Sequence, residues 1–259
     1  HEIFEATPPH SVGARNGRLT TWGARAATHL LLRARAVCVT LRRYADHLRL
    51  AYGAANIQHI PHGAFAAPEA LPRGAGPPEI LMLATHAPHK GLATLLEALP
   101  RVRAARPEVR LIIAGSDHPR FAGYLAEVRA RWGRVEHLEW RERLTELELR
   151  ELFARASVVV APYLASTGAS SVVHRAAAFG RPLVVSDLPD FRALAEEEGL
   201  RLDYAPPGDA PALAAGLLRQ LADWERAAAQ TRHNLRAMQA MSLEHTSARY
   251  AALLTAAGR

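Results

Sequence analysis

The 259-residue chain contains a single cysteine, Cys38, so no internal disulfide can form. No apolar run approaches the roughly 18 residues that would suggest a membrane span. The opening residues do not pair a basic segment with an apolar one, as a secretory leader would. There is no internal repeat and no low-complexity tract beyond an alanine bias. An acidic pair suited to two-carboxylate glycoside hydrolysis is missing, as is an Asp-x-Asp-like metal motif. His59/His62 and His86/His89 are each spaced by three. No cysteine or carboxylate completes a ligand set, so loop polarity accounts for them better than zinc. A dinucleotide site needs a glycine-rich turn after a strand and an acid about 20 residues on. Neither Ala114-Gly115-Ser116-Asp117 nor Ala84-Thr85-His86 supplies it. No recognised nucleic-acid module accompanies the basic residues.

Apolar residues make up 49% of the chain, enough to bury a sizeable core, and charged residues 22%. Cys38 sits in the apolar run Ala36–Thr40, and a reducing, cytoplasmic setting fits it. The formal charge is +7, of which residues 1–65 hold +5, from eight arginines and three acids. The first residue is His1, not methionine, and the text reads as part of a longer chain.

From Glu79 onward, strand and helix patterns alternate. Glu79–Ala84 is apolar without alternation, as in a strand buried on both faces. Leu92, Leu95, Leu96, Leu99 and Val102 recur at helical spacing, and Pro100 inside them implies a kink or a lost bond. Strands are expected at Arg110–Ala114, Val135–Trp140, Ser157–Ala161, Pro182–Ser186 and Leu200–Tyr204. Helices are expected at Arg120–Arg131, after the capping-box pair Thr145/Glu148, at Ala169–Phe179, and after the N-cap Asp209 with Pro211 in its first turn. Repeated β-α units imply a doubly wound parallel sheet, whose ligands bind at the carboxyl ends of the strands. The loops after residues 84, 115, 140, 161 and 186 are therefore the ones that matter. Before residue 66 a helix at Gly17–Arg35, a strand at Ala36–Thr40, a helix at Leu41–Tyr52 and a strand at Asn56–Ile60 read as the end of another α/β unit. The expected division is 1–66, a linker over 67–78, a large domain over 79–240, and a terminal helix over 241–259 that packs back on the first unit.

Two loops carry candidate chemistry. In Thr85-His86-Ala87-Pro88-His89-Lys90-Gly91 a lysine sits where a helix begins, and its ammonium with free backbone N–H groups suits a phosphate. A solvated lysine beside a turn glycine is the alternative. In Thr167-Gly168-Ala169-Ser170-Ser171 small residues precede a helix, so a diphosphate can approach the backbone closely and meet hydroxyl donors. Tight helix-on-sheet packing serves those residues equally well.

With Ile60-Pro61-His62-Gly63, Lys90-Gly91, Leu111-Ile112-Ile113-Ala114-Gly115 and Gly180-Arg181-Pro182-Leu183-Val184-Val185 in this order, the chain resembles family 4 glycosyltransferases of the GT-B fold over nearly all of its length. The resemblance implies an α/β protein: a doubly wound, Rossmann-like C-terminal domain binding a nucleotide-diphosphate sugar, plus the remainder of an N-terminal Rossmann-like acceptor domain. It implies hexosyl transfer with retention, without a metal or cofactor, in glycolipid or polysaccharide synthesis. The transition state would be oxocarbenium-like, and Lys90 with the Gly168–Ser171 amides would stabilise the departing diphosphate. Lys90 fills the family's lysine slot, and its arginine slot falls on Thr85. The family's two glutamates, the first contacting the donor sugar and the second the ribose, fall on Thr167 and Arg175, neither of them acidic. His1 matches a histidine facing the transferred sugar. A catalytically silent protein binding a nucleotide or a partner is the alternative that the empty acidic slots favour. The acceptor could be a glycan, a lipid or a small molecule. Finally, Arg18, Trp22, Arg25, His29 and Arg33 fall on one helical stripe, suited to an anionic membrane at its inner face or to a solvated surface.

Overall fold

The computed structural model describes residues 17–64, 67–72, 76–132, 135–165 and 168–257. Six strands form one parallel sheet: β3 (Glu79–Leu83), β4 (Arg110–Ala114), β5 (Leu138–Arg141), β6 (Val158–Ala161), β7 (Leu183–Ser186) and β8 (Asp203–Ala205). Their order across the sheet is β5-β4-β3-β6-β7-β8, with every neighbouring pair parallel. The chain winds outward from β3 to β5, crosses back to β6 beside β3, and winds outward again to β8. The winding reverses between β3 and β6, the point at which doubly wound sheets bind ligands at the carboxyl ends of their strands. The sequence therefore delivers the loops after residues 83 and 161 to one place.

Two-residue alternation along the buried strands sorts the core into two layers. Ile80 and Met82 of β3 face one side, against Leu92, Leu95, Leu99 and Val102 of α3 (Leu92–Ala105) and Leu213 and Leu217 of α8 (Ala210–Ala222). Leu81 faces the other side, with Phe153 of α5 (Glu146–Arg155), Val173 of α6 (Ser171–Ala178), Phe191 of α7 (Pro189–Glu198) and Met238 of α9 (Trp224–Ala240). Pro100 lies inside α3, which continues through it.

A smaller two-stranded parallel sheet, β1 (Val37–Val39) with β2 (Ile57–His59), is flanked by α1 (Gly17–Leu31) and α2 (Arg42–Tyr52). Tyr44, Ala45 and Leu48 of α2 belong to the same core layer as α6 and α7, so apolar packing is continuous between the two sheets. Residues 67–72 run along the end of α6. The amides of Glu69 and Leu71 donate to Ala178 and Phe179, and the buried Arg181 guanidinium donates to the carbonyls of Leu71 (2.6 Å) and Pro72 (3.0 Å). The chain ends in α10 (Leu243–Ala257), where Arg249 donates to the His59 carbonyl at 2.6 Å.

The structure moves several expected boundaries, each for a local reason. α1 stops at Leu31 rather than Arg35, because Asn56 Nδ2 captures the carbonyls of Leu32 and Ala34. The helix expected at Arg120–Arg131 is split. Pro119–Phe121 is a 3₁₀ turn, and α4 (Tyr124–Trp132) starts where the Asp117 carboxylate accepts from Gly123 and Leu125. β5 starts at Leu138, after His137 takes a left-handed conformation (φ 52°). The last strand is Asp203–Ala205 rather than Leu200–Tyr204. α7 was not expected at all.

Candidate functional site

After β3 the chain makes a 3₁₀ turn at Pro88–Lys90, and Gly91 then opens α3 with φ 72°. A Cβ at position 91 would overlap the Pro162 carbonyl, so glycine alone lets this turn lie against the loop after β6. His89 accepts from the Leu164 amide at 2.8 Å and locks the two loops together. The Lys90 ammonium lies 4.0 Å from the centre of the Tyr163 ring, a cation–π contact. Tyr163 is buried against Phe191; burial pushes its phenol up to about 12, and the Ser170 hydroxyl beside it works the other way. Ser170 is the N-cap residue of α6, which begins at Ser171 rather than at Ala169. One aromatic ring thus joins the lysine to the start of α6, whose first-turn amides have no partners within the helix. Ser171 is exposed at this end, and Ala169 is half-buried against the core.

The remaining expected site residues fare differently. Thr85 is exposed in the loop after β3. His1 and Thr167 lie outside the described residues. The Gly168 amide donates to Asp190 Oδ2 at 2.9 Å, so a carboxylate of the protein itself engages this expected diphosphate donor. Arg175 forms a two-point pair with Glu146 at 2.8 and 3.0 Å, and holds that carboxyl below its usual range. The ribose-slot arginine has thereby acquired an acid from the start of α5.

Histidines surround both loops. His86 is fully buried, with Nε2 2.9 Å from the Ala114 carbonyl, and burial pushes its basicity down. Burial first, then Lys90 and His118, lower His89 to about 4, so it is a neutral ring beside the ammonium near neutral pH. His174 on α6 is buried. Burial lowers its basicity, but a 2.7 Å contact with Glu198 and one with the Ser170 carbonyl at 2.8 Å raise it overall. Among the described residues, no group of three His, Cys, Asp or Glu side chains is placed to hold a metal ion.

Asp190 and Glu198 were missed by sequence reading. Both are acids on α7, and a run of Glu196, Glu197 and Glu198 reads as a solvated face. The sequence does flag Asp190 weakly: it follows Pro189 in a first turn, a position that favours acids.

Comparison with known proteins agrees with this fold. A phosphatidyl-myo-inositol mannosyltransferase of Mycolicibacterium smegmatis is 34% identical over 138 residues, 52% of this chain and 34% of that protein. One from Propionibacterium freudenreichii is 28% identical over 153 residues, 58% of this chain and 37% of that protein. The chain thus spans about a third of the length of these relatives. Among solved structures, Anabaena HepE in complex with UDP and glucose matches with a TM-score of 0.74 at 20% identity, over 89% of this chain and 66% of that one. Sucrose-phosphate synthase of Thermosynechococcus elongatus matches with a TM-score of 0.73 at 20% identity, over 92% of this chain and 61% of that one. The fold is therefore that of GT-B glycosyltransferases, with parallel Rossmann-like sheets. The model for group 1 glycosyl transferases matches residues 77–223, more than half of the chain, and the chain belongs to that family.

Proposed function

We propose that the chain binds the diphosphate of a nucleotide sugar at the β3/β6 crevice and serves hexosyl transfer to an acceptor with retention of configuration. The observation that carries this reading is the Lys90–Tyr163–Ser170 chain, which sets an ammonium beside the start of α6. As the sugar–oxygen bond breaks, negative charge grows on the departing diphosphate. In this reading Lys90 and the first-turn amides of α6 would meet that charge without reorganising. In this reading no metal or other cofactor is called for. HepE was solved with UDP and with UDP-glucose, and the curated relatives are named for a mannosyl transfer to a phosphoinositide; both favour a sugar nucleotide as donor and a glycolipid as acceptor. Residues 79–240 would be the donor domain, residues before 67 part of an acceptor domain, 67–78 the linker, and α10 a return to the first unit. Arg18, Trp22 and Arg25 of α1 would meet an anionic membrane surface, and Arg33 would approach from just beyond the helix end. His1 would face the transferred sugar, as the resemblance implies.

A thermal-shift series with UDP, GDP and dTDP tests the binding half of this proposal. One of them should stabilise the wild type by mass action, about 2.7 kcal/mol at a hundredfold excess over Kd. Lys90→Ala should lose most of that gain; an equal shift in both proteins removes Lys90 from the site. Arg175 favours a second reading, a nucleotide-binding protein without transfer, because a guanidinium accepts no hydrogen bond from a ribose and both oxygens of its partner Glu146 are already engaged by it. Hydrolysis of a UDP-, GDP- or dTDP-sugar separates the two: turnover lost in Lys90→Ala supports the enzyme, and nucleotide binding without turnover supports the silent protein.

A further inference from the structure

The loop in front of α6 is held from a direction that no motif announces. Asp190, in the first turn of α7, is only 4% exposed. Its carboxylate accepts from three donors: Arg43 Nη1 at 2.6 Å, the Tyr44 hydroxyl at 2.7 Å and the Gly168 amide at 2.9 Å. Arg43 and Tyr44 are neighbours on α2, beside the small sheet, whereas Gly168 stands three residues before α6. Gly168 has φ 143°, a conformation that residues with a side chain rarely adopt. A desolvated carboxylate is tolerated only when paired and hydrogen-bonded, and these three donors meet that need together. Removing any one of them changes what the other two hold.

We propose that Asp190 is a positioning residue: it tethers the Gly168 loop to α2 and so fixes the start of α6 for the donor diphosphate. The tether complements the Tyr163–Ser170 contact, which fixes the same loop from the lysine side. Together they hold the anion-facing amides of α6 in one geometry before any ligand arrives, which lowers the ordering that binding would otherwise require. Because two of the three donors come from α2, the geometry of the loop follows the seating of α2 against α7. This inference rests on the nucleotide-diphosphate reading above for its ligand, but not for the tether itself.

Hydrogen exchange of the segment 163–173 in the intact chain, with the binding of UDP and GDP measured alongside, tests it. In Asp190→Asn, exchange in this segment should speed up by about tenfold, as expected for loss of a charged hydrogen bond, while β3 and β6 stay as protected as in the wild type. Affinity for whichever nucleotide the wild type binds should fall on the same order, and Asp190→Glu should restore part of it. Should Asp190→Asn fail to fold, Arg43→Gln loosens the tether from its half-exposed end, with the same local acceleration expected. Unchanged exchange in this segment, in a folded variant of either kind, overturns the proposal. Faster exchange with nucleotide affinity unchanged in both Asp190→Asn and Lys90→Ala supports the tether and removes the nucleotide from this crevice.

Discussion

Single residues set the acid response of this protein. His59, His62, His86 and His89 all have lowered basicity, with burial the leading cause in each. Such a ring is neutral in the folded chain at a pH where the unfolded chain has already taken up its proton. Its contribution to stability is complete above the ordinary histidine value of 6.5 and is lost as pH falls below it, down to about 4 for His89. His174 behaves oppositely: raised overall against Glu198, it contributes fully below 6.5 and fades as pH climbs through its higher folded value. Four lowered rings against one raised ring predict a melting temperature that declines from pH 7 toward 4.5. His89→Phe, which keeps an aromatic ring beside Phe121 (6.2 Å between centres now), should flatten part of that decline. The same slope in both proteins would mean that His89 titrates normally.

The joint between the Pro88–Lys90 turn and the loop after β6 depends on Gly91, whose φ of 72° and contact with Pro162 leave no space for a methyl group. Gly91→Ala should destabilise the fold by more than about 1 kcal/mol, read from urea unfolding, and should weaken nucleotide binding with Lys90 unaltered. On α1, Trp22 is 73% exposed and Leu19 67%, beside Arg18 and Arg25, and residues 17–35 contain no acid. An exposed apolar ridge with one sign of charge partitions to anionic bilayers. Sedimentation with phosphatidylglycerol vesicles should exceed that with phosphatidylcholine and fall with salt. The Arg18→Glu, Arg25→Glu double variant should lose roughly tenfold or more. Equal sedimentation with both lipids would assign this face to protein contacts instead.

For the whole molecule, β3, β4, β6 and β7 were legible because each is a short, largely buried apolar run, whereas the edge strands β5 and β8 carry charged residues and lie off their expected bounds. The reversal point between β3 and β6 follows once those strands are parallel, so the Lys90 loop and the loop before α6 could be singled out from their flanking residues. What stayed illegible depends on partners distant in sequence. α7 offers only Phe191 and Leu194 as apolar anchors, and its buried acids Asp190 and Glu198 are stable there through Arg43, Tyr44 and His174. Glu146 looked like part of a capping segment, and no spacing rule links it to Arg175 across 29 positions. Local pattern reports which residues are apolar and how the chain starts and stops its helices. It does not report which carboxylate meets which guanidinium.

The last helix returns to the first sheet, and the one thiol of the chain sits under it. Tyr250 of α10 and Cys38 of β1 line the same cavity of about 930 Å³, and Arg249 fastens the helix to the neighbouring strand. Burial also pushes the Cys38 thiol up, which lowers the fraction present as reactive thiolate. The chain therefore carries a built-in chemical reporter for the grip of α10. Deleting residues 243–259 should hasten alkylation of Cys38 by iodoacetamide several-fold, whereas an unaltered labelling rate would mean that the thiol owes its shelter to α1 alone.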